Sequence, residues 1–348
     1  MYNAIKHFET LYQNAPREFA FSAASQFELQ SWQAAFRPRL HQILGLENLK
    51  NDLAGHTTYA EQRDTKDKGN YIQETWHLWV EPTVPLPFYL LRPKYTPSPL
   101  PLMLTPHGHH PPHLYAGIVH TKEDAASIRE FDRDIALQAV NAGYLTIAPT
   151  ARGFGETRTE NAKANDELHA CRIELMHGLL VGRTPLGERV WDISRLIDWA
   201  LANLDVDPHR VAVTGNSGGG ATTLFAAACD PRITVAVPSS YFCTFAASIG
   251  SIWHCACNYV PGMLRLGEMY DVAGLIAPRP FLAINGEHDD IFPIDAARFA
   301  FEKLQQVYAV AGVPQDCQHY IGAGGHRYYK AAAWSFINHY LQQGSQNG

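Results

Sequence analysis

The chain has 348 residues, 46% of them hydrophobic and 18% charged, an ordinary globular composition with ample material for a core. A net charge of -6 and a pI near 6.3 argue against nucleic acid or an anionic membrane as partner, because both recruit basic patches. No run of about 18 apolar residues marks a transmembrane helix. The charged start "MYNAIKHFETLYQNAPREF" is unlike a signal peptide, and six cysteines in so long a chain are no disulfide framework. The expectation is a cytoplasmic protein.

Residues 1 to about 50 look helical and amphipathic, as in "SWQAAFRPRLHQILGL", and residues 1 to 65 read as an N-terminal helical extension, free to cover an active site or a neighbouring subunit in a homo-oligomer. "TTYAEQRDTKDKGN" is polar and reads as a loop or an exposed strand edge. From residue 66 to 348 the pattern is that of one domain. "YIQETWHLWV" and "PFYLLRP" suggest an antiparallel hairpin. "PLMLTPHG" is a short strand, "IREFDRDIALQAVNAGY" one helix, and "YLTIAPTARGFG" a strand running into a glycine-rich loop. "RVWDISRLIDWALANL" is a strong amphipathic helix, "RVAVTG" a strand and "GGATTLFAAAC" a helix. "ITVAVPSS", "PFLAING" and "CQHYIGAGG" are further strands, with "DAARFAFEKLQQVYAVAG" a helix between the last two and "YKAAAWSFINHYLQQ" a closing helix. Strands alternating with helices predict an α/β fold with a mostly parallel central sheet and helices on both faces. Ligand chemistry then belongs in the loops at the C-terminal strand ends.

One such loop holds Gly215-Asn216-Ser217-Gly218-Gly219, a G-x-S-x-G between a strand and a helix. That context is what a nucleophile elbow requires. The spacing of a dinucleotide fingerprint is absent, as is the Lys-Ser/Thr pair of a P-loop. A serine needs a base, and the base an orienting acid. Two downstream loops supply them in order. "GEHDDIFP" offers Asp289, with Asp290 the second choice and Asp295 better read as a helix N-cap. "GAGGHRYY" presents His326 after a strand and before the last helix; His339, its downstream rival, lies within that helix.

An oxyanion needs two preorganised donors. The backbone N–H of Gly218 follows the nucleophile, and "TPHGHH" places the N–H of His109 in the loop after an early strand. His107, His109, His110 and His113 could also bind a metal, but no metalloprotease-like spacing appears, so no metal and no cofactor is expected. Cys255-x-Cys257 beside His254 could be a zinc fragment or a redox pair. With no fourth ligand evident, these read as buried thiols. Arg152 either contacts substrate or pairs with Asp192 or Asp198.

With these residues in place the chain resembles the α/β-hydrolase superfamily, in its acetylxylan esterase-like and prolyl-oligopeptidase-like branches. "ARGFGET" is similar to the R-G-x-G segment of sugar deacetylases, "WDISRLIDWA" to the helix before the elbow, and "LIAPRPFLAINGEHDDIFP" to the acid-bearing segment. Two positions depart: Gly218 stands where those deacetylases carry glutamine, and R-G-F-G replaces R-G-Q. The resemblance implies a serine carboxylesterase, a deacetylase or short-chain esterase acting on a small-molecule ester such as an acetylated sugar. His110, Arg152, Tyr241 and Trp253 are pocket candidates, the last two on the insert "YFCTFAASIGSIWHCACNYVPGMLRLG". The alternatives are a prolyl-oligopeptidase-like peptidase and a catalytically silent hydrolase-fold binding protein.

Overall fold

The structure, a computed structural model, describes residues 2–165, 167 and 170–343. Helices α1 (Ala4–Gln13), α2 (Gln26–Leu44) and α3 (Leu46–Asp52) precede strands β1 (Tyr59–Asp67), β2 (Tyr71–Glu81), β3 (Val84–Pro93) and β4 (Leu100–Leu104). Next come α4 (Lys122–Phe131), α5 (Ile135–Asn141), β5 (Leu145–Pro149), α6 (Glu160–Ala164), α7 (Cys171–Gly178) and α8 (Pro185–Asn203). The chain continues through β6 (Val206–Asn216), α9 (Gly218–Cys229), β7 (Val235–Ser239), α10 (Met263–Leu266) and α11 (Met269–Gly274). It ends with β8 (Phe281–Gly286), α12 (Ile294–Ala311), β9 (Cys317–Gly322) and α13 (Lys330–Gln343).

The strands form one sheet in the order β1-β2-β3-β5-β4-β6-β7-β8-β9. The pairs β1·β2, β2·β3 and β3·β5 are antiparallel; every pair from β5·β4 to β8·β9 is parallel. Period-2 alternation sends successive side chains to opposite faces. Leu102, Leu104, Val211 and Val213 join the core formed with α2, α8, α9 and α12, while Met103 and Ala212 join the one formed with α5 and α13. All residues of α9 are buried, which explains its Ala- and Gly-rich sequence.

Some elements differ from expectation. The single helix read over Ile128–Tyr144 is two, α4 and α5, because Asp132 adopts φ 54 and caps α4 in the left-handed region. Asp132 there receives ion pairs from Arg327 and Lys330, so a distant segment fixes the break. Helix α8 starts at Pro185, earlier than its amphipathic pattern suggests, with Thr184 accepting from the Gly187 N–H as N-cap. Asp295 does not cap α12, whose N-cap is Pro293; it lies in the first turn near Arg298. In keeping with the strand-edge reading, the polar stretch at residue 59 is an edge strand, β1, with exposed charges along most of its length. Helix α2 contributes Leu29, Phe36, Leu40 and Leu44 to the main core. Helix α1 has no buried residue. Among the described residues no helix is long and apolar enough to cross a membrane.

His319 on β9 donates from Nε2 to Asn285 Oδ1 (3.0 Å), and Asn285 Nδ2 donates to the carbonyl of Phe242 (3.0 Å), where the insert begins. Burial, and then the nearby Arg298, lower the imidazole pKa from 6.5 to about 4. The folded state therefore disfavours a proton that the unfolded chain accepts. This contribution is fully present above pH 6.5 and is lost as pH falls towards 4. We expect urea titrations of wild type to show a decline over that window, about 3 kcal/mol at most from this group. The decline should be visibly shallower in His319→Gln, which keeps a donor at the same place without titrating.

Candidate active site

Ser217 sits at the C-terminal end of β6 with φ 59 and ψ -119, a strained conformation for a residue with a side chain. Its N–H donates to the carbonyl of Ser239 on the neighbouring strand (2.9 Å). The helix α9 that follows directs its N-terminal N–H groups to the same end of the sheet. Two glycines of the elbow, Gly215 and Gly219, answer to one oxygen. A Cβ on Gly215 would lie 2.3 Å from the Pro106 carbonyl, and one on Gly219 2.0 Å from it. Only hydrogen fits where β4 and the elbow touch.

The loops that carry Asp289 and His326 meet at the same strand ends. Glu287 N–H donates to Gly322 O (2.8 Å) and His288 N–H to Gly324 O (3.0 Å), so the loops after β8 and β9 are joined by main chain. Asp289 is buried, and its Oδ1 accepts from the N–H groups of Ile291 (2.9 Å) and Phe292 (3.1 Å). Its Oδ2 is 2.8 Å from Nδ1 of His326. The ring of Phe292 stacks on His326 at 5.9 Å between centroids. Ser239 Oγ donates to Asn216 Oδ1 (3.1 Å) and Ser240 Oγ to Arg327 O (2.9 Å), so the neighbours of Ser217 and of His326 are fixed by adjacent serines. Asp290 and His339 take no part in these bonds.

The loop after β4 faces the elbow. The carbonyl of Gly108 accepts from His110 N–H (2.9 Å) and His107 Nδ1 (2.7 Å), and His107 Nε2 accepts from the N–H of Ala151 (2.9 Å). A Cβ on Gly218 would be 3.5 Å from His109 Nδ1. The imidazole thus fills the space into which a larger residue at 218 would extend. His110 is mostly buried, and burial, then the Arg133 charge, then His326 hold its pKa well below 6.5. His113 is elsewhere, 3.2 Å from Asp124.

Two pocket candidates lie inside the protein instead. Arg152 is 8% exposed, bonds Asp192 through Nε (3.0 Å) and Nη2 (2.7 Å), and pairs with Glu81 and Glu188 through Nη1. Its donors are spent on carboxylates of α8 and β2; Asp198 pairs with Arg195 and Arg232. Tyr241 is 1% exposed, its ring 5.2 Å from Phe292 and its Cβ tight under Gly220, which makes it a core residue supporting the elbow helix. Trp253 is 78% exposed on the insert. A cavity of about 430 Å³ lies between α1 and the insert, lined by Leu11, Tyr12, Phe245, Ile249 and Tyr259 among others, and does not include Ser217, Asp289 or His326. Sequence reasoning missed Ser239, Ser240 and Phe292, none of which carries a motif.

The Acetyl xylan esterase (AXE1) family matches residues 125–253. The "Putative hydrolase YtaP" of Bacillus subtilis (strain 168) is 27% identical over 298 residues, 83% of this chain and 92% of that protein. A Bacteroides fragilis NCTC 9343 structure bearing the name "putative acetyl xylan esterase (BF1801)" superposes with a TM-score of 0.76 at 17% identity, over 95% of this chain and 83% of that one. The chain has the α/β-hydrolase fold and is similar to acetylxylan esterase-like members of it. A glucuronoyl esterase from Solibacter usitatus shares the fold, with a TM-score of 0.63 at 14% identity over 96% of this chain and 98% of that one. The protein is a carboxylic ester hydrolase.

Two substitutions probe how the hydrolase holds its elbow. Gly219→Ala should lower the melting temperature by several degrees and abolish reaction with a fluorophosphonate, since the Cβ forces β4 and α9 apart, an overpacking cost of about 1–3 kcal/mol. Arg152→Met should cost about 3–5 kcal/mol in urea unfolding at neutral pH, because it leaves buried carboxylates unpaired. Burial already raises the pKa of Glu188 and Asp192 against the opposing pull of Arg152. The loss should therefore shrink as pH falls and these carboxyls protonate.

Proposed function

We propose that this ester hydrolase works through an acyl-enzyme on Ser217, and that its substrates are small-molecule esters of sugars. The observation that carries this is the contact of His326 Nδ1 with the buried carboxylate of Asp289 at 2.8 Å, at the same sheet edge as the strained Ser217. With Nδ1 held as donor, Nε2 is the nitrogen left to take the serine proton and return it to the leaving alcohol. As the ester carbonyl is attacked, its oxygen gains charge. The Gly218 N–H at the start of α9 and the His109 N–H in the facing loop are the donors assigned to it. Water then hydrolyses the acyl-enzyme by the same proton path in reverse.

The sugar-ester assignment is supported by the AXE1 match and by a relative named 4-O-methyl-glucuronoyl methylesterase 1 of Wolfiporia cocos (strain MD-104), 26% identical over 165 residues, 39% of this chain and 40% of that protein. An acetylated sugar places the sugar on the alcohol side of the ester, and a glucuronoyl ester places it on the acyl side. Short acyl chains on a sugar alcohol are our first choice. The same proposal puts the protein in the cytoplasm, in keeping with six cysteines that are all unpaired.

Ser217→Ala should keep the wild-type melting curve and lose about 10³-fold or more of kcat/KM on p-nitrophenyl acetate, with Asp289→Asn losing about 10²–10⁴-fold. Acetylated xylose, a glucuronic acid methyl ester and an aminoacyl-proline anilide, assayed in parallel, decide the substrate class. Hydrolysis of the anilide alone would overturn the esterase assignment, and full activity in Ser217→Ala would overturn the mechanism.

A further inference from the structure

Beside the elbow, three separate segments bring soft ligands together. Cys171 opens α7, Cys255 and Cys257 belong to the insert, and His109 belongs to the loop after β4. One donor atom from each lies within 4.8 Å of all the others. His254, the neighbour that sequence suggested, is directed elsewhere, with Nδ1 3.0 Å from Asn258 Nδ2.

We propose that His109, Cys171, Cys255 and Cys257 form a tetrahedral site for a divalent zinc ion. Bonds of about 2.3 Å to sulfur and 2.0 Å to nitrogen at tetrahedral angles put two sulfurs ~3.8 Å apart and a sulfur and nitrogen ~3.6 Å apart. His109 Nε2 is 3.5 Å from Cys257 Sγ and 3.7 Å from Cys171 Sγ. Cys171 Sγ is 3.5 Å from Cys255 Sγ, and Cys255 Sγ 3.1 Å from Cys257 Sγ. These two sulfur–nitrogen edges already match, these two sulfur–sulfur edges need only a small opening, and the remaining edges lie within 4.8 Å. A disulfide uses two sulfurs and has no use for the histidine. Three thiols and an imidazole converging on one point are a recurrent zinc donor set, and soft thiolates disfavour calcium or magnesium.

Charge balance argues the same way. Arg189 on α8 is buried beside this cluster, within hydrogen-bond reach of Cys257, and among the described residues its Nε and Nη2 have no hydrogen-bond partner. Three neutral thiols would offer a buried guanidinium little. One zinc ion with three thiolates carries one net negative charge, which Arg189 cancels. Binding displaces three thiol protons to solvent, and no electrons move.

The site also explains the loop it would hold. Metal on Nε2 leaves the proton on Nδ1, the atom packed over Gly218, and fixes the ring beside the backbone N–H assigned to the oxyanion. The ion would be structural, with four protein ligands and no open position, and would tie the insert and α7 to the loop facing the nucleophile.

The test does not depend on activity. Full-length protein, purified under reducing conditions without added metal, should contain about one zinc per chain by inductively coupled plasma mass spectrometry. Stripped protein reconstituted with cobalt should show the visible d–d bands and thiolate charge-transfer band of tetrahedral Co²⁺. Cys257→Ser should lose zinc to background, whereas Cys317→Ser, a buried cysteine on β9, should keep it. If Cys257→Ser does not fold, the cobalt spectrum of the unaltered chain decides. Absence of zinc together with absence of thiolate–cobalt bands would overturn the proposal, as would a Cys255–Cys257 disulfide in peptide mass spectra or iron with acid-labile sulfide. Because metal content and spectrum are read without substrate, failure here leaves the ester-hydrolase reading intact, and failure of that reading leaves this one intact.

Discussion

A side chain at φ 59 and ψ -119 persists only where its surroundings leave no alternative. At Ser217 those surroundings are main chain. The Pro106 carbonyl sits against Gly215 and Gly219, and the Ser239 carbonyl takes the Ser217 N–H. Below lies α9, buried from end to end between the sheet and α8. Relaxing the serine would mean parting β4 from β6 or lifting a helix out of the core. The strain is therefore balanced against the whole central packing, which is why the elbow can be rigid although it is a turn.

Around this fixed point the other groups arrive in coupled pairs. The loops after β8 and β9 are bonded to each other before Asp289 and His326 meet, and Ser239 and Ser240 then bond to the residues flanking Ser217 and His326. The loop after β5 is fixed from beneath by Arg152 and from beside by His107, which accepts the Ala151 N–H. Positioning thus comes from hydrogen bonds to backbone, which tolerate little displacement, while apolar packing supplies most of the stability.

Much of this was legible in the sequence because it is local. Alternating runs of apolar residues identify the strands, glycines at fixed offsets identify the elbow, and the order serine, aspartate, histidine follows from strand order. What was not legible depends on distant partners. The left-handed Asp132 that splits α4 from α5 is held by Arg327 and Lys330, nearly two hundred residues away. The sequence favours a structural role for Arg152 over a substrate contact without locating its partners, which are three carboxylates from two elements. The convergence of Cys171 and His109 on the Cys255–Cys257 pair has no spacing signature, because its members come from three loops. Thr184 and Pro185 cap the head of α8 one turn ahead of its amphipathic pattern, so the pattern alone starts the helix late.

Gly218 and His109 face each other across the mouth of the elbow, the ring standing where a side chain at 218 would go. Sugar deacetylases that the chain resembles put a glutamine at that position. The same volume can be filled from the helix or from the opposite loop, but not from both. Across descendants of this fold the two positions should therefore drift together, a large residue on one side appearing with a small one on the other. A single exchange would either crowd the site or leave it hollow.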